Sequence, residues 1–161
     1  MTLDSIESLN GLPREQFAEA LRPVFEAAPP LAQALYAIRP FTSYPALIDT
    51  AEALATAMPF DDQVRVLSAH PRIGADPATL SAASLREQGE TEPTHVYAEL
   101  ARLNAAYEQH FGFRFVVFVN RRPKSAILEV LRQRLTNSRE DELRTGLHDM
   151  FLIARDRCAS T

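Results

Sequence analysis

Eleven prolines are spread along 161 residues, and between them apolar side chains recur at helical spacing. A proline inside a helix removes a hydrogen bond and clashes with the preceding turn, so each one marks a start, a kink or an end. The chain is thereby restricted to short and medium helices joined by tight connections. Glycine is scarce, with 5 residues, while Ala, Leu, Glu, Gln and Arg recur, which favours helix over sheet. The expectation is an all-α, single-domain multi-helix bundle over residues 1–161, with one short extended segment near 113–119.

The first helix is expected after Pro13, with Phe17, Leu21, Val24 and Phe25 on one face and Pro23 as a kink or early stop. A second covers Leu31 to Ile38 and ends before Arg39-Pro40; a third begins near Pro45. A fourth runs from Asp61 into Leu67, capped by Asp61 or Asp62, and stops just before His70-Pro71. The stretch from His70 to Leu80, with two prolines and a glycine, reads as a connection and hence as a place for chemistry. A short helix over Ser81 to Gln88 and a turn over Gly89 to Pro93 lead to a long helix carrying Val96, Leu100, Leu103 and Tyr107 in one stripe. The last two helices follow Pro123 and Ser138, the latter with Glu140 and Asp141 in its first turn as a start signal.

Phe113 to Val119 is aromatic and β-branched, as a buried strand would be, yet no second strand exists to pair with it. A lone extended segment must satisfy its backbone groups through side chains, water or a ligand. It either lines a pocket or is a core element with an unrecognised partner.

Several classes are excluded. Seventeen basic against 21 acidic residues give a net charge of -4, leaving no basic excess for nucleic acid. The one cysteine, Cys158, can form neither an internal disulfide nor a thiolate metal cluster. No signal peptide, membrane span or lipidation box is read, so a soluble, unexported protein in the reducing cytoplasm is expected. The four histidines form no metal-binding pair, and no phosphate loop or nucleophile elbow occurs.

What remains is a polar concentration after an apolar helix: His70-Pro71, then Ser84, Glu87 and Gln88. If Ser81 caps the short helix, Ser84, Glu87 and Gln88 share one face and can bind a small polar molecule. If Ser84 is the cap, Ser84-Leu85-Arg86-Glu87 is a capping box and Glu87 only satisfies a backbone donor. Arg155 and Arg157 near the end of the last helix complement its dipole unless one turns inward, and Arg132 and Arg134 are expected on a solvated face.

Taken in order, Ser68-Ala69-His70-Pro71-Arg72-Ile73-Gly74, Ser84-Leu85-Arg86-Glu87-Gln88, Leu103-Asn104, Tyr107 and Phe111-Gly112-Phe113-Arg114-Phe115-Val116 resemble the 2-oxo-4-hydroxy-4-carboxy-5-ureidoimidazoline (OHCU) decarboxylases of uric acid breakdown. The resemblance extends from Leu9-Asn10 and Phe17 through Arg39-Pro40-Phe41 to Glu142-Leu143-Arg144 and Ile153-Ala154-Arg155-Asp156-Arg157. It implies a family-specific all-helical fold, a homodimer, no metal or organic cofactor, and conversion of the small-molecule substrate OHCU to (S)-allantoin. It implies His70, Glu87 and Arg157 as catalytic residues, with Pro71, Ser84, Gln88 and the segment Phe115, Val116, Val117, Phe118 and Val119 binding substrate. Glu87 is expected to hold the His70 ring and favour its charged form, and Arg157 to fork a carboxylate or oxyanion. The family commonly reads Phe-Gly-Phe-Pro-Phe, and Arg114 in place of that proline is expected to loosen the backbone. The competing readings are a non-catalytic helical interaction module and a hydrolase of a related ureido acid.

Overall fold

The computed structural model describes residues 2–76, 78, 80–88 and 92–160. Among them are ten helices and no strand: α1 (Ile6–Gly11), α2 (Arg14–Ala20), α3 (Arg22–Phe25), α4 (Pro29–Ala37), α5 (Tyr44–Ala57), α6 (Phe60–Ser68), α7 (Ala82–Gln88), α8 (Thr94–Phe111), α9 (Lys124–Arg134) and α10 (Arg139–Ala159). Prolines open most of them. Pro13, Pro59, Pro93 and Pro123 are the N-cap residues of α2, α6, α8 and α9, while Pro23, Pro29, Pro30 and Pro45 lie in the first turns of α3, α4 and α5. A missing N–H costs nothing there, because the first turn has no intrahelical acceptor for it.

Serine hydroxyls cap the starts of three helices. Ser138 accepts from the Asp141 N–H at the head of α10, as expected, and Ser43 and Ser5 do the same for α5 and α1. α1 has no counterpart in the sequence reading. Nor is α6 capped by Asp61 or Asp62: Pro59 takes the cap position, and both aspartates fall in the first turn, where they complement the dipole. The expected turn from Gly89 to Pro93 lies in part outside the described residues.

α10 is the axis of the fold. It packs on α5, α3 and α6, while α4 bridges α2, α5 and α6, and α8 lies along α9. Leu147, Met150, Phe151 and Ala154 of α10 meet Phe17, Phe25, Leu47 and Leu67 in one core cluster. Near the N-terminus, Asn10 donates to the Phe41 carbonyl and accepts from its N–H, both at 2.8 Å, and Arg39 donates to the carbonyls of Asn10 and Leu12. The family-like residues at 9–10 and 39–41 thus bind one another and hold the chain entry in place.

Gly112, at φ 80°, ends α8 in the left-handed conformation that glycine adopts without strain. From 113 to 119 the chain is neither helix nor strand, with Phe113 and Phe115 set edge-on against Tyr107. Its backbone is held by side chains. Arg134 donates to the Val116 carbonyl (2.8 Å), the Phe118 N–H donates to Asp149 (3.0 Å), and Arg122 donates to the carbonyls of Phe118 and Val119.

Arg134 corrects the sequence reading: it is buried rather than solvated. Its Nε donates to Glu142 (2.7 Å), which is fully buried and also accepts from Tyr107 (2.6 Å) and Asn137 (2.9 Å). Burying a charged pair is favourable only when such further bonds complete it, and removal of one partner strands the other. Glu142→Ala should therefore lower unfolding free energy by about 3–5 kcal/mol in urea denaturation, whereas Tyr107→Phe should cost about 1 kcal/mol. A Glu142→Ala protein as stable as wild type would show that the network contributes nothing net.

Candidate active site

α6 is an amphipathic helix whose Val66 and Leu67 face the core. Proline at 71 disfavours helical backbone at residue 70, so the helix ends at Ser68 and the His70 side chain leaves the helical register. The following loop is fastened from three sides. Gln88 accepts from the Gly74 N–H (2.8 Å) and donates to the Arg72 carbonyl (3.2 Å), Asn104 donates to the Ile73 carbonyl (3.1 Å), and Arg72 pairs with Glu108 through two bonds of 2.7 and 2.8 Å. Gly74, at φ 80°, lets the turn close against α8, where a Cβ would stand 3.1 Å from Leu100.

Ser81, not Ser84, caps α7: its hydroxyl accepts from the Ser84 N–H at 3.1 Å. The capping-box alternative therefore falls away, and Ser84, Glu87 and Gln88 lie on one helix face. Opposite them, from the last turn of α10, comes Arg157, only 2% exposed. Its Nε and Nη2 grip Glu87 at 2.6 and 3.0 Å; Nη2 also meets Glu26 (3.0 Å) and Ser84 (3.2 Å), and Nη1 donates to the Pro23 carbonyl (3.3 Å). Arg155 turns outward to Asp49 and Glu52, which settles which of the two arginines faces inward.

The eleven residues singled out from the sequence line one cavity of about 560 Å³: His70 and Pro71 from the loop, Ser84, Glu87 and Gln88 from α7, Phe115 to Val119 from the extended segment, and Arg157 from α10. Among the described residues five cations (Arg86, Arg121, Arg122, Lys124, Arg157) line it against three carboxylates (Glu87, Glu92, Asp156), a balance that suits an anionic ligand. Among the described residues, no group of three His, Cys, Asp or Glu side chains converges that could hold a metal, and no helix is long and apolar enough to cross a membrane.

Two details differ from expectation. Glu87 binds Arg157 and not His70; among the described residues neither ring nitrogen of His70 has a hydrogen-bond partner. The edge of Arg157 that could fork a substrate carboxylate is closed on Glu87. Gln88 likewise uses both ends of its amide on the 72–74 backbone, acting as a clamp as well as a wall.

The residue that sequence reasoning missed is Glu26. It stands just after α3 at φ 59°, a strained backbone for a side chain larger than glycine, and its Oε1 accepts from Ser81 (2.8 Å), Ser84 (2.7 Å) and Arg157 (3.0 Å). Burial pushes this carboxyl up, but the Ser84 hydroxyl, the Arg157 guanidinium and the Ser81 hydroxyl together hold it below the ordinary range. Its partners lie 55 to 131 residues away, and the run Phe25-Glu26-Ala27-Ala28-Pro29-Pro30 carries no motif that would signal them.

His70 is neutral. Burial and the nearby Arg157 cation push its pKa down, Glu26 opposes them, Arg114 adds to the fall, and the balance is about 3. An unfolded histidine titrates near 6.5, so below that pH the unfolded chain takes up a proton that the native imidazole refuses. Stability consequently falls as pH drops from about 6.5 toward 3. The depressed Glu26 acts in the same direction at lower pH, so the His70 share needs a reference protein. Between about pH 6 and pH 4, wild type should lose about 1.4 kcal/mol per pH unit relative to His70→Asn in paired urea titrations; parallel curves would mean that His70 titrates normally in the fold.

Comparison with known proteins gives a consistent set of relatives. The OHCU decarboxylase family profile matches residues 10–159. The 2-oxo-4-hydroxy-4-carboxy-5-ureidoimidazoline decarboxylase of Mus musculus is 31% identical over 156 residues, covering 92% of this chain and 88% of the mouse protein. That of Haloferax volcanii is 29% identical over 159 residues, covering 96% and 94%. A uric acid degradation bifunctional protein of Bacillus subtilis is 31% identical over 160 residues; this chain spans 32% of its length. The crystal structure of an OHCU decarboxylase in the presence of (S)-allantoin superposes with a TM-score of 0.71 at 24% identity, over 89% of this chain and 96% of that one, a likeness of fold.

Proposed function

The chain belongs to the OHCU decarboxylase family, a family of carboxy-lyases, and we propose that it converts OHCU to (S)-allantoin in uric acid degradation. The observation that carries this reading is the cavity. A buried, neutral imidazole whose two nitrogens have no partner among the described residues shares the cavity with hydroxyl, carboxylate, amide and guanidinium groups, under a cationic lining fit for a small carboxylate.

The substrate's hydroxyl and carboxylate share a ring carbon, and the ureido arm is on its neighbour. When CO2 leaves, the bonding pair stays on the ring and spreads over the adjacent unsaturated atoms; one proton is taken up overall, and one must reach a single face of the carbon that becomes the stereocentre. His70, as a neutral base, can accept the hydroxyl proton and return a proton to the ring. Arg157 is charge-balanced by Glu87 and Glu26 and orders that wall of the cavity; its Nη1, bonded to the Pro23 carbonyl and, among the described residues, to no carboxylate, is the guanidinium nitrogen that can serve developing negative charge. Glu87 in this reading orients Arg157 rather than the imidazole. Ser84 and the backbone of residues 115–119 offer donors and acceptors to ring and ureido amides. Pro71 and Gln88 set the loop against which the ring rests. On the family resemblance, the protein acts as a homodimer in the cytoplasm without metal or organic cofactor.

Selecting one enantiomer by a factor of ten requires about 1.4 kcal/mol between competing transition states, so a proton donor fixed on one face is essential. The test is the growth of circular dichroism from freshly generated OHCU, beyond spontaneous decay, with the product identified by mass. His70→Ala should lower turnover by about 10²- to 10⁴-fold with its melting temperature retained, and wild-type rates of (S)-allantoin formation from that variant would remove His70 from the mechanism. Glu87→Ala should also slow turnover; a large fall in melting temperature with normal turnover would reduce Glu87 to a structural role. Water addition instead of CO2 loss would replace the decarboxylase reading with a hydrolase.

A further inference from the structure

We propose that Arg114 is a positioning residue for His70, holding the peptide group that carries the imidazole. α6 ends at Ser68, so its last carbonyls lack intrahelical donors. Arg114 Nη1 donates to two carbonyls at this end, those of Ser68 (2.9 Å) and of His70 itself (2.7 Å). The guanidinium is steadied in turn by Glu108, 3.6 Å from its Nε, and Glu108 is gripped by Arg72 on the far side of Pro71. Phe113 and Phe115, on either side of Arg114, are pinned edge-on to Tyr107, so the arginine's own backbone is fixed.

The other loop clamps, Gln88 and Asn104, act on residues 72–74, downstream of the imidazole. Arg114 reaches the residue that bears it. With no partner for its ring nitrogens among the described residues, the ring's aim rests on packing and on how its peptide is held. Small misplacements of a reacting group are expensive. Where the family commonly has a proline, which stiffens the chain through its own ring, this chain has a cation that stiffens it through two hydrogen bonds. The expected loosening at this position is thus answered by a bracket of a different kind.

The charges facing His70 are Arg157 from α10, Glu26 from the turn after α3, and Arg114 from the extended segment. Both cations oppose protonation of the ring and Glu26 favours it, so loss of Arg114 removes one of the two groups that keep the imidazole neutral.

The inference rests on His70 acting in OHCU decarboxylation, and its test includes a readout that needs no turnover. Arg114→Met, Arg114→Gln and Arg114→Lys would be compared in the full chain by kcat and KM for OHCU across pH, by melting temperature, and by NMR titration of the His70 ring without substrate. Arg114→Met should reduce kcat by about tenfold or more with KM within about threefold of wild type, and should move the His70 titration and the acid limb of the rate profile to higher pH. Arg114→Lys, which keeps the charge and a single nitrogen able to donate to both carbonyls, should recover kcat to within about threefold. If Arg114→Met does not fold, Arg114→Gln carries the comparison. Unchanged kcat and an unchanged titration would overturn the proposal, as would losses that follow melting temperature alike in the neutral and lysine variants. A wild-type protein inactive on OHCU but with the titration shifted in Arg114→Met would refute the decarboxylase reading and leave the placement of Arg114 supported.

Discussion

A guanidinium taken almost wholly out of water must be paired, and Arg157 is paired by two carboxylates from two separate parts of the chain. Glu26 comes from the turn after α3, Glu87 from α7, and Ser84 is shared between Arg157 and Glu26. This one buried charge therefore draws three elements to a point that hydrophobic packing alone would leave loosely related. The cavity is what stands beside that point. The same requirement explains a strained backbone at Glu26, since only that turn delivers its carboxylate to Ser81, Ser84 and Arg157 together.

The opposite wall follows a parallel logic with different atoms. An extended chain without a neighbouring strand would leave its amides unmatched, and here arginine and aspartate side chains stand in for the missing strand. Arg134 can do so because Glu142, which also accepts from Tyr107, neutralises it inside the core. Thus the two walls of the site are each organised by an arginine on or beside the longest helix, one fixing α7 and one fixing residues 115–119. His70 lines the same cavity, its ring nitrogens uncommitted among the described residues.

Much of this was legible in advance, for identifiable reasons. Proline placement and the serine at 138 are local rules, and they located α2, α5, α8, α9 and α10 well. That 113–119 is not helix follows from its aromatic and β-branched residue types, and that it is not strand follows from the lack, among the described residues, of a strand to pair with it. Short elements were harder: α1 has six residues and too little periodicity to stand out. The pairing of charges was not legible. By sequence Arg134 is an ordinary basic residue in a last turn, Glu26 carries no motif, and nothing near Glu87 signals that Arg157, 70 positions away, holds it in place of His70. Which carboxylate meets which cation is decided by long-range packing, and the residue types around each position carry little of that information.

α7 has seven residues, fewer than an isolated helix needs to persist in water. It endures through bonds made at its edges and along one face, by Ser81 at its start, by Arg157 on Ser84 and Glu87, and by Lys124 on the Gln88 carbonyl. The scaffold and the chemistry are consequently not separable here: the pieces that would handle substrate are also what keeps this helix wound. Amide protons of residues 82–88 then serve as a built-in gauge, since the rate at which they swap with solvent deuterium reports directly whether the ion pair behind them is closed.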